Sequence, residues 1–338
     1  MRPFSLRSNL KRAVIDGFML PLGLVPGDIQ APNQGYTVDY TPGEDDEPDT
    51  YLFHVVVSHE RLGRIIDRAF SLLPEEVYGI VEIGSRDAYR TADVYMAQEP
   101  VSVREFRAGW KRYEAFLLED GSIAAGANSE EPFLEVFLDQ WKGLSLHVPL
   151  SMRDQIEEML AGFGLTEVPS TWPAMDDQAS EKALRLRPVL SLEDEYSPDV
   201  DELLLQLRHA WKLELNVDPD TNVDEAGRTL GLTLWHALVI IESVEDPDAG
   251  AYVSIWATAG SLGEMEELID SALAGSPTWR FVEIYTIDRV AFDERPDELA
   301  DLPPRREKAD VHLVSFERWP GTADTREPGG TAGGNGGG

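Results

Sequence analysis

The apolar positions of the chain change period several times, which predicts a protein built from both strands and helices. In the first half, strands are predicted over Tyr51–Ser58 and over Val77–Ile83. Between them, apolar residues recur every three or four positions, as on the buried stripe of an amphipathic helix. That stripe consists of Leu62, Ile65, Ile66, Ala69, Phe70 and Leu73.

The next segment predicts a second helix, a hairpin and another pair of strands. Asp120-Gly121 predicts a hairpin turn between strands at 116–118 and 123–125, because glycine readily takes the positive φ that such turns require. The second helix is indicated by Val103, Phe106, Trp110 and Tyr113, which share one stripe. The further strands are Phe133–Leu138 and Leu144–Val148.

Capping patterns mark two more helices. Ser151 with Asp154, and Ser261 with Glu264, have the spacing at which a hydroxyl and a carboxylate satisfy the first free backbone amides of a helix. The second half otherwise predicts a helix, a long apolar run and three strands. These elements are Val200–Trp211, Leu230–Ile241, Tyr252–Thr258, Phe281–Ile287 and Val311–Phe316.

One pattern of strand, helix, proline turn and strand occurs in each half. Such units are typical of ferredoxin-like sandwiches, in which helices cover one face of a mostly antiparallel sheet. The pattern therefore predicts an α+β protein with two such domains, for which a tandem duplication is one explanation. The alternative is that amphipathic helices followed by strands resemble each other without common ancestry. The two copies are 65–70, Pro74 and 81–83, and 268–273, Pro277 and 282–284.

Chain length also favours two domains, since single hydrophobic cores stop growing at roughly 250–300 residues and this chain has 338. The boundary is placed where prolines and charges replace any sustained period, and the tail is predicted to be disordered because its glycines cannot bury a core. The predicted parts are 1–50, an N-terminal extension with an acidic loop, 51–168, a first α+β domain, 169–198, a linker, 199–319, a second α+β domain, and 320–338, a disordered Gly-rich tail.

Charge limits the possible partners. The chain has 62 acidic and 29 basic residues, a formal net charge of -33. Such a molecule repels nucleic acid, whose binding depends on Lys and Arg, and favours a basic protein partner. The chain contains no cysteine, which excludes disulfides and thiolate chemistry. No segment reaches the ~18 apolar residues of a membrane helix, so we expect no membrane contact and a cytoplasmic location.

An acidic loop in the second half resembles the start of an EF-hand calcium loop, because oxygen side chains stand at alternate positions. The resemblance then fails, since Val223 occupies the glycine position and Thr229 the position of the bidentate glutamate. The loop is either a calcium or magnesium site or a solvated acidic turn. The candidate ligands are Asp218, Asp220, Asn222 and Asp224.

Basic residues cluster on the polar sides of the first two predicted helices. The functional interpretation is a docking surface for an acidic segment. The alternative is a set of ordinary helix ion pairs, such as Glu60 with Arg64. The residues of this predicted basic patch are Arg61, Arg64, Arg68, Arg104, Arg107 and Lys111.

Three classes of function remain. No serine nucleophile elbow, phosphate-binding glycine loop or paired-histidine metal motif occurs in the sequence. The first hypothesis is a non-catalytic acidic binding protein, with a regulatory, immunity-type or assembly role, that recognises a basic protein partner. The second is a carboxylate-based enzyme that uses a divalent cation at the acidic loop. The third is a structural subunit that self-assembles through sheet edges.

Overall fold

The chain divides into two units that do not follow each other along the sequence. The computed structural model describes residues 4–43, 48–172, 184–193, 197–246, 248–274 and 277–319. The first unit consists of Met1–Gly84 and Ala92–Asn216, and the second of Ser85–Thr91 and Val217–Gly338. Residues 85–91 therefore belong to the second unit although their flanking strands belong to the first. The domain limits predicted above stay predictions.

The first unit contains thirteen strands and four α-helices among its described residues, with 3₁₀ turns at Phe70–Leu72 and Leu150–Met152. The helices are α1 (His59–Ala69), α2 (Val103–Glu119), α3 (Arg153–Gly162) and α4 (Val200–Trp211). The strands are β1 (Val14–Ile15), β2 (Phe18–Met19), β3 (Leu24–Pro26), β4 (Gly35–Thr41), β5 (Thr50–Val56), β6 (Glu76–Gly84), β7 (Ala92–Ala97), β8 (Val101–Ser102), β9 (Ile123–Glu130), β10 (Phe133–Leu138), β11 (Leu144–Pro149), β12 (Leu184–Leu186) and β13 (Leu213–Leu215).

Nine of these strands form one antiparallel sheet. Its order is β13, β7, β6, β9, β10, β11, β5, β4, with β8 paired to β6 as well. Alternate residues of the strands point to one core, as the period of two requires. Phe53, Val136 and Leu146 of three neighbouring strands lie in this core together with buried residues of all four helices. The sheet therefore has one helix-covered face.

Aromatic rings join α2 to α4. Trp110 and Trp211 stack with ring centroids 6.5 Å apart, and Phe106 lies 4.8 Å from Trp211. Trp211 donates its indole N–H to the Phe106 carbonyl at 3.2 Å. A Cβ at Gly109 would lie 2.5 Å from the Trp211 indole nitrogen, so only glycine lets the two helices approach this closely.

Two local predictions are wrong. Residues 116–118 are helical rather than a strand, because Phe116 and Leu117 extend the buried stripe of α2 by another turn. The helix then ends at Glu119, with Asp120 as its C-cap. Ser151 does not cap α3, since 150–152 form a 3₁₀ turn and the cap residue is Met152, without a side-chain bond. The residues before Tyr51, which the sequence assigns to an N-terminal extension, include β4, which pairs with β5.

The second unit is a four-stranded antiparallel sheet with one α-helix among its described residues. The sheet order is β16, β14, β15, β17. Ser261 accepts a hydrogen bond from the Glu264 amide, which confirms the predicted start of this helix. The elements are β14 (Thr233–Ser243), β15 (Gly250–Ala259), α5 (Leu262–Leu273), β16 (Trp279–Val290) and β17 (Asp310–Trp319), with 3₁₀ turns at Phe292–Glu294 and Asp297–Leu299.

A buried ion pair links residues 85–91 to this sheet. The side chains of Asp87 and Arg289 are 0% and 4% exposed, and Arg289 Nε lies 2.8 Å from the Asp87 carboxylate. Asp87 also accepts the Arg289 backbone N–H at 2.9 Å. A second guanidinium nitrogen donates to the Asn222 side chain and to the Val223 carbonyl, both at 2.8 Å. One arginine thus fixes two loops to β16.

The chain is therefore a mixed protein of helices and several antiparallel sheets, as the sequence predicts at that level. Part of the predicted acidic loop, 44–47, and the predicted Gly-rich tail from Pro320 lie outside the described residues. Among the residues that are described, no helix has the length and apolar content needed to cross a membrane.

Replacing Asp87 by Asn should destabilise the second unit by about 3–5 kcal/mol, because the buried Arg289 would lose its counter-ion. The change keeps the shape of the side chain, so loss of charge is the main effect. Urea unfolding followed by near-UV circular dichroism measures it. Asp220→Asn, an exposed aspartate of the same unit, serves as the control and should shift stability by less than about 0.5 kcal/mol. Equal stabilities of the two variants would contradict the assignment.

Candidate binding surface

The predicted basic patch lies on α1 and α2 of the first unit. Arg61 donates to the Phe163 carbonyl at 2.6 Å and to the Gln34 side chain at 3.0 Å. Lys111 of α2 lies 2.8 Å from Glu114 and 3.9 Å from Asp67 of α1, so the two helices meet there. Carboxylates are thus interleaved with the cations, and the patch stays a prediction. Its remaining members, Arg64, Arg68, Arg104 and Arg107, are exposed.

The predicted metal loop uses much of its oxygen chemistry for internal hydrogen bonds. Asp218 accepts from the Asp220 amide at 2.9 Å, and Asp224 accepts from the Arg228 amide and guanidinium. The side-chain amide oxygen of Asn222 accepts a hydrogen bond from Arg289. Within the described ranges, no group of three or more His, Asp or Glu side chains is arranged to hold a metal ion. The metal site stays a prediction.

Glu119 is the centre of a buried polar cluster in the first unit. Its carboxylate accepts from Arg12 at 2.8 Å and from the Leu22 amide at 2.7 Å, and it lies 3.0 Å from His59 Nε2. Burial raises the pKa of Glu119, but the hydrogen bonds from His59 and Arg12 outweigh it and hold the pKa at about 2. Arg12 and Leu22 belong to the N-terminal segment, whereas Glu119 belongs to α2. The cluster therefore attaches the N-terminal segment to this helix.

Lys142 is a second buried charge of the first unit. Its Nζ donates to the Ile123 carbonyl at 2.6 Å. Burial lowers the pKa of Lys142 to about 8, against the opposing effect of Asp120 and Asp139. Lysines with such pKa values serve as nucleophiles when a substrate can reach them. Because this Nζ is buried and bonded to a backbone carbonyl of β9, we infer that Lys142 fixes the loop between β10 and β11 to β9.

His54 lies between a hydroxyl and a carboxylate. Its Nδ1 is 3.1 Å from Thr171 Oγ1, and its Nε2 is 3.4 Å from Asp139. The three groups resemble a nucleophile, base and carboxylate array. Thr171 is buried, however, and 3.4 Å is long for a hydrogen bond. The array therefore fastens two loops together and offers no accessible nucleophile.

The second unit has a sheet face that differs from its core. Val239, Val253 and Ile255 point towards α5 and pack around Met265 and Ile269. The intervening residues point to the other side, where no helix among the unit's described residues covers them; we call this side the open face. The open face carries His236, Leu238 and Ile240 of β14, Tyr252, Ser254 and Trp256 of β15, Tyr285 and Asp288 of β16, and Leu313, Glu317 and Trp319 of β17.

Aromatic rings dominate the open face. Tyr252 is 37% exposed, and its ring centroid lies 6.0 Å from Tyr285 and 5.1 Å from Trp319. These rings come from three different strands and are neighbours because of the order in which the strands pair. Next to them, His236 stacks on Trp256 at 4.4 Å. Four-stranded sheets with one exposed aromatic face offer flat platforms on which a planar group can stack.

His236 is half-buried in the middle of the open face. Its Nε2 lies 2.8 Å from Ser254 Oγ, and burial lowers the pKa of His236 below its usual value. The imidazole is therefore neutral at physiological pH and adds an aromatic ring to the face without adding a positive charge.

Carboxylates surround the rings. Glu317 is opposite Tyr252 in the register of β15 and β17, and Asp288 is opposite His236 in the register of β14 and β16. Residues in register share a face of an antiparallel sheet. Glu283 is in register with Ile240, whereas Glu242 is neutralised by an ion pair with its register partner Arg280. The open face thus combines π-surfaces with negative charge, a combination that attracts organic cations.

Sequence reasoning missed this surface, although one signal was present. The predicted strand over Tyr252–Thr258 alternates between Tyr252, Ser254 and Trp256 on one side and aliphatic residues on the other. An aromatic and polar side on a central strand indicates a face that is not simply solvated. The partners Tyr285 and Trp319 could not be assigned without the strand order.

Comparisons with known proteins give no further guide: no family model, no curated protein and no solved structure matches the chain.

Replacing Glu119 by Gln should lower the free energy of unfolding by about 2 kcal/mol at pH 7, because Arg12 and His59 would lose a charged acceptor. A carboxylate with a lowered pKa stabilises the fold above its unfolded value near 4.5 and stops doing so as the pH falls towards 2. The difference between wild type and variant should therefore shrink between pH 7 and pH 3.

Urea unfolding at both pH values measures that difference. The matched control is Glu158→Gln, which removes an exposed carboxylate of α3 and should leave stability nearly unchanged. A difference that stays constant with pH would show that Glu119 acts through its shape rather than its charge.

Proposed function

We propose that the protein is a non-catalytic binding protein whose open face holds a basic, arginine-containing segment of a protein partner. The observation that carries the proposal is the exposed Tyr252, flanked by Tyr285 and Trp319 and opposite the carboxylate of Glu317. A guanidinium is planar and weakly hydrated, so it stacks on aromatic rings while it donates hydrogen bonds to a neighbouring carboxylate. The open face offers both groups side by side.

Overall charge supports the same proposal. A net charge of -33 raises the local concentration of basic partners and speeds their association at low ionic strength. Arginine–ring contacts already occur within the second unit, where Arg289 lies 5.8 Å from the Trp235 centroid and Arg318 lies 5.4 Å from that of Trp279. The net charge would thus increase the association rate of basic partners, and the aromatic rings would make binding selective for arginine over lysine.

Two finer expectations accompany this proposal. A ferredoxin-like duplication is supported by the shared order of strand, helix and strand, in β5, α1 and β6 and in β15, α5 and β16. The number of strands between the outer two opposes it, because three lie between β6 and β5 and one lies between β16 and β15. Cytoplasmic location stays a prediction from the sequence.

The test uses a hexa-arginine peptide as the probe and isothermal titration calorimetry at low and high salt. Tyr252→Ala should weaken binding about fivefold, the effect of losing one exposed cation–π contact of ~1 kcal/mol. The control is Tyr40→Ala, another exposed tyrosine with a carboxylate partner, Asp49, but in the first unit. It should leave affinity unchanged. Both variants keep the net charge, so charge steering is equal in the comparison.

Hexa-lysine provides the second comparison. Because an ammonium does not stack flat on a ring as a guanidinium does, hexa-lysine should bind wild type more weakly than hexa-arginine and should lose less affinity in Tyr252→Ala. If Tyr252→Ala and Tyr40→Ala bind hexa-arginine equally, or if both peptides bind wild type alike, the open face is not the binding surface and only bulk charge is at work.

A further inference from the structure

A groove of about 420 Å³ lies on the other side of the same sheet, where α5 ends. Ile241 of β14 contributes to its lining, as do Leu273 of α5 and Ala274, the residue after the helix. Its volume is within the range of pockets that hold small organic ligands. The groove is separate from the open face, because its side chains point towards the helix side of the sheet.

The walls of the groove are aromatic. Trp279 and Phe281 enter it from β16, and Phe316 enters it from β17, the opposite edge of the sheet. Phe281 is 44% exposed and Phe316 is 47% exposed. Two large aromatic side chains left open at one groove form an apolar surface that a ligand body can cover.

One end of the groove is negative. The last turn of α5 contains Asp270 and no basic residue, although the carbonyl groups at a helix C-terminus favour a cation. Asp270 itself lines the groove and has no ion-pair partner among the residues described. Asp270 adds its negative charge to the negative end of the helix dipole, and a bound cation would offset both.

The geometry points to a binding site for a small organic cation, an alkyl- or arylammonium with an apolar body. The ammonium group would lie at Asp270 and the end of α5, and the apolar body would lie along Phe281 and Phe316. The Arg318 guanidinium already lies 5.4 Å from the Trp279 ring centroid, so this ring is occupied and the apolar body is assigned to Phe281 and Phe316. Aromatic walls with a carboxylate are the chemistry that recognises alkylated ammonium ions.

This site is independent of the proposed function. The open face and the groove use opposite sides of one sheet and share no residue. A peptide that binds to the open face therefore says nothing about the groove, and either site can be present without the other. Tyr252→Ala is accordingly a control for the groove, since it alters only the open face.

Three probes of nearly equal size and different charge test the groove: phenethylammonium, 2-phenylethanol and 3-phenylpropionate. Binding to the full chain is measured by ligand-observed saturation-transfer NMR and calorimetry. The cation should bind at least tenfold more tightly than the neutral alcohol, and the anion should bind more weakly than both. Asp270→Asn should abolish the preference for the cation while leaving alcohol binding unchanged, since Asp270 is exposed and its replacement does not disturb the core.

Phe281→Ala should weaken all three probes, because it removes part of the apolar wall and no charge. Tyr252→Ala should weaken none of them. Equal binding of cation and alcohol to wild type, a cation preference that survives in Asp270→Asn, or no binding by any probe would each overturn the proposal. Weaker hexa-arginine binding by Tyr252→Ala, with amine binding intact, separates the two sites.

Discussion

The buried pair of Asp87 and Arg289 is the constraint on which the second unit depends. An arginine that is 4% exposed is stable only if its N–H groups have acceptors and its charge has a counter-ion. Asp87 supplies the charge, and Asn222 supplies a further acceptor. The guanidinium also lies over the rings of Tyr89 and Trp235. Residues 85–91 are therefore part of this fold and not a loop attached to it.

The pair also fixes one end of a sheet whose two faces differ. Arg289 is the penultimate residue of β16 and is in register with Trp235 of β14, which is buried on the α5 side. The same register directs Asp288 to the open face and Ile287 to the core. Among the described residues of this unit, the one α-helix covers only one side of the four strands. The rings and carboxylates of the open face lie on the other side.

Much of the local structure follows from the sequence, and the failures have physical causes. The stripe of α1 and the Ser261 cap of α5 are local patterns, and both form where predicted. The strand expected at Phe116 is helical because burial against the core favours one more turn of α2. The cap expected at Ser151 is absent because a 3₁₀ turn intervenes. A short sequence pattern does not form the expected element where core packing or a neighbouring turn favours another backbone conformation.

The open face shows what sequence periodicity cannot predict. A period of two tells which residues of one strand share a face, so Tyr252 and Trp256 could be placed on one side of β15 from the sequence. It does not tell which strands are neighbours. Tyr285 and Trp319 reach Tyr252 only because β14 lies between β16 and β15 and β17 pairs with β15. Pairing order is a global property of the chain, and binding surfaces on open sheets depend on it because no single strand is wide enough to hold a ligand.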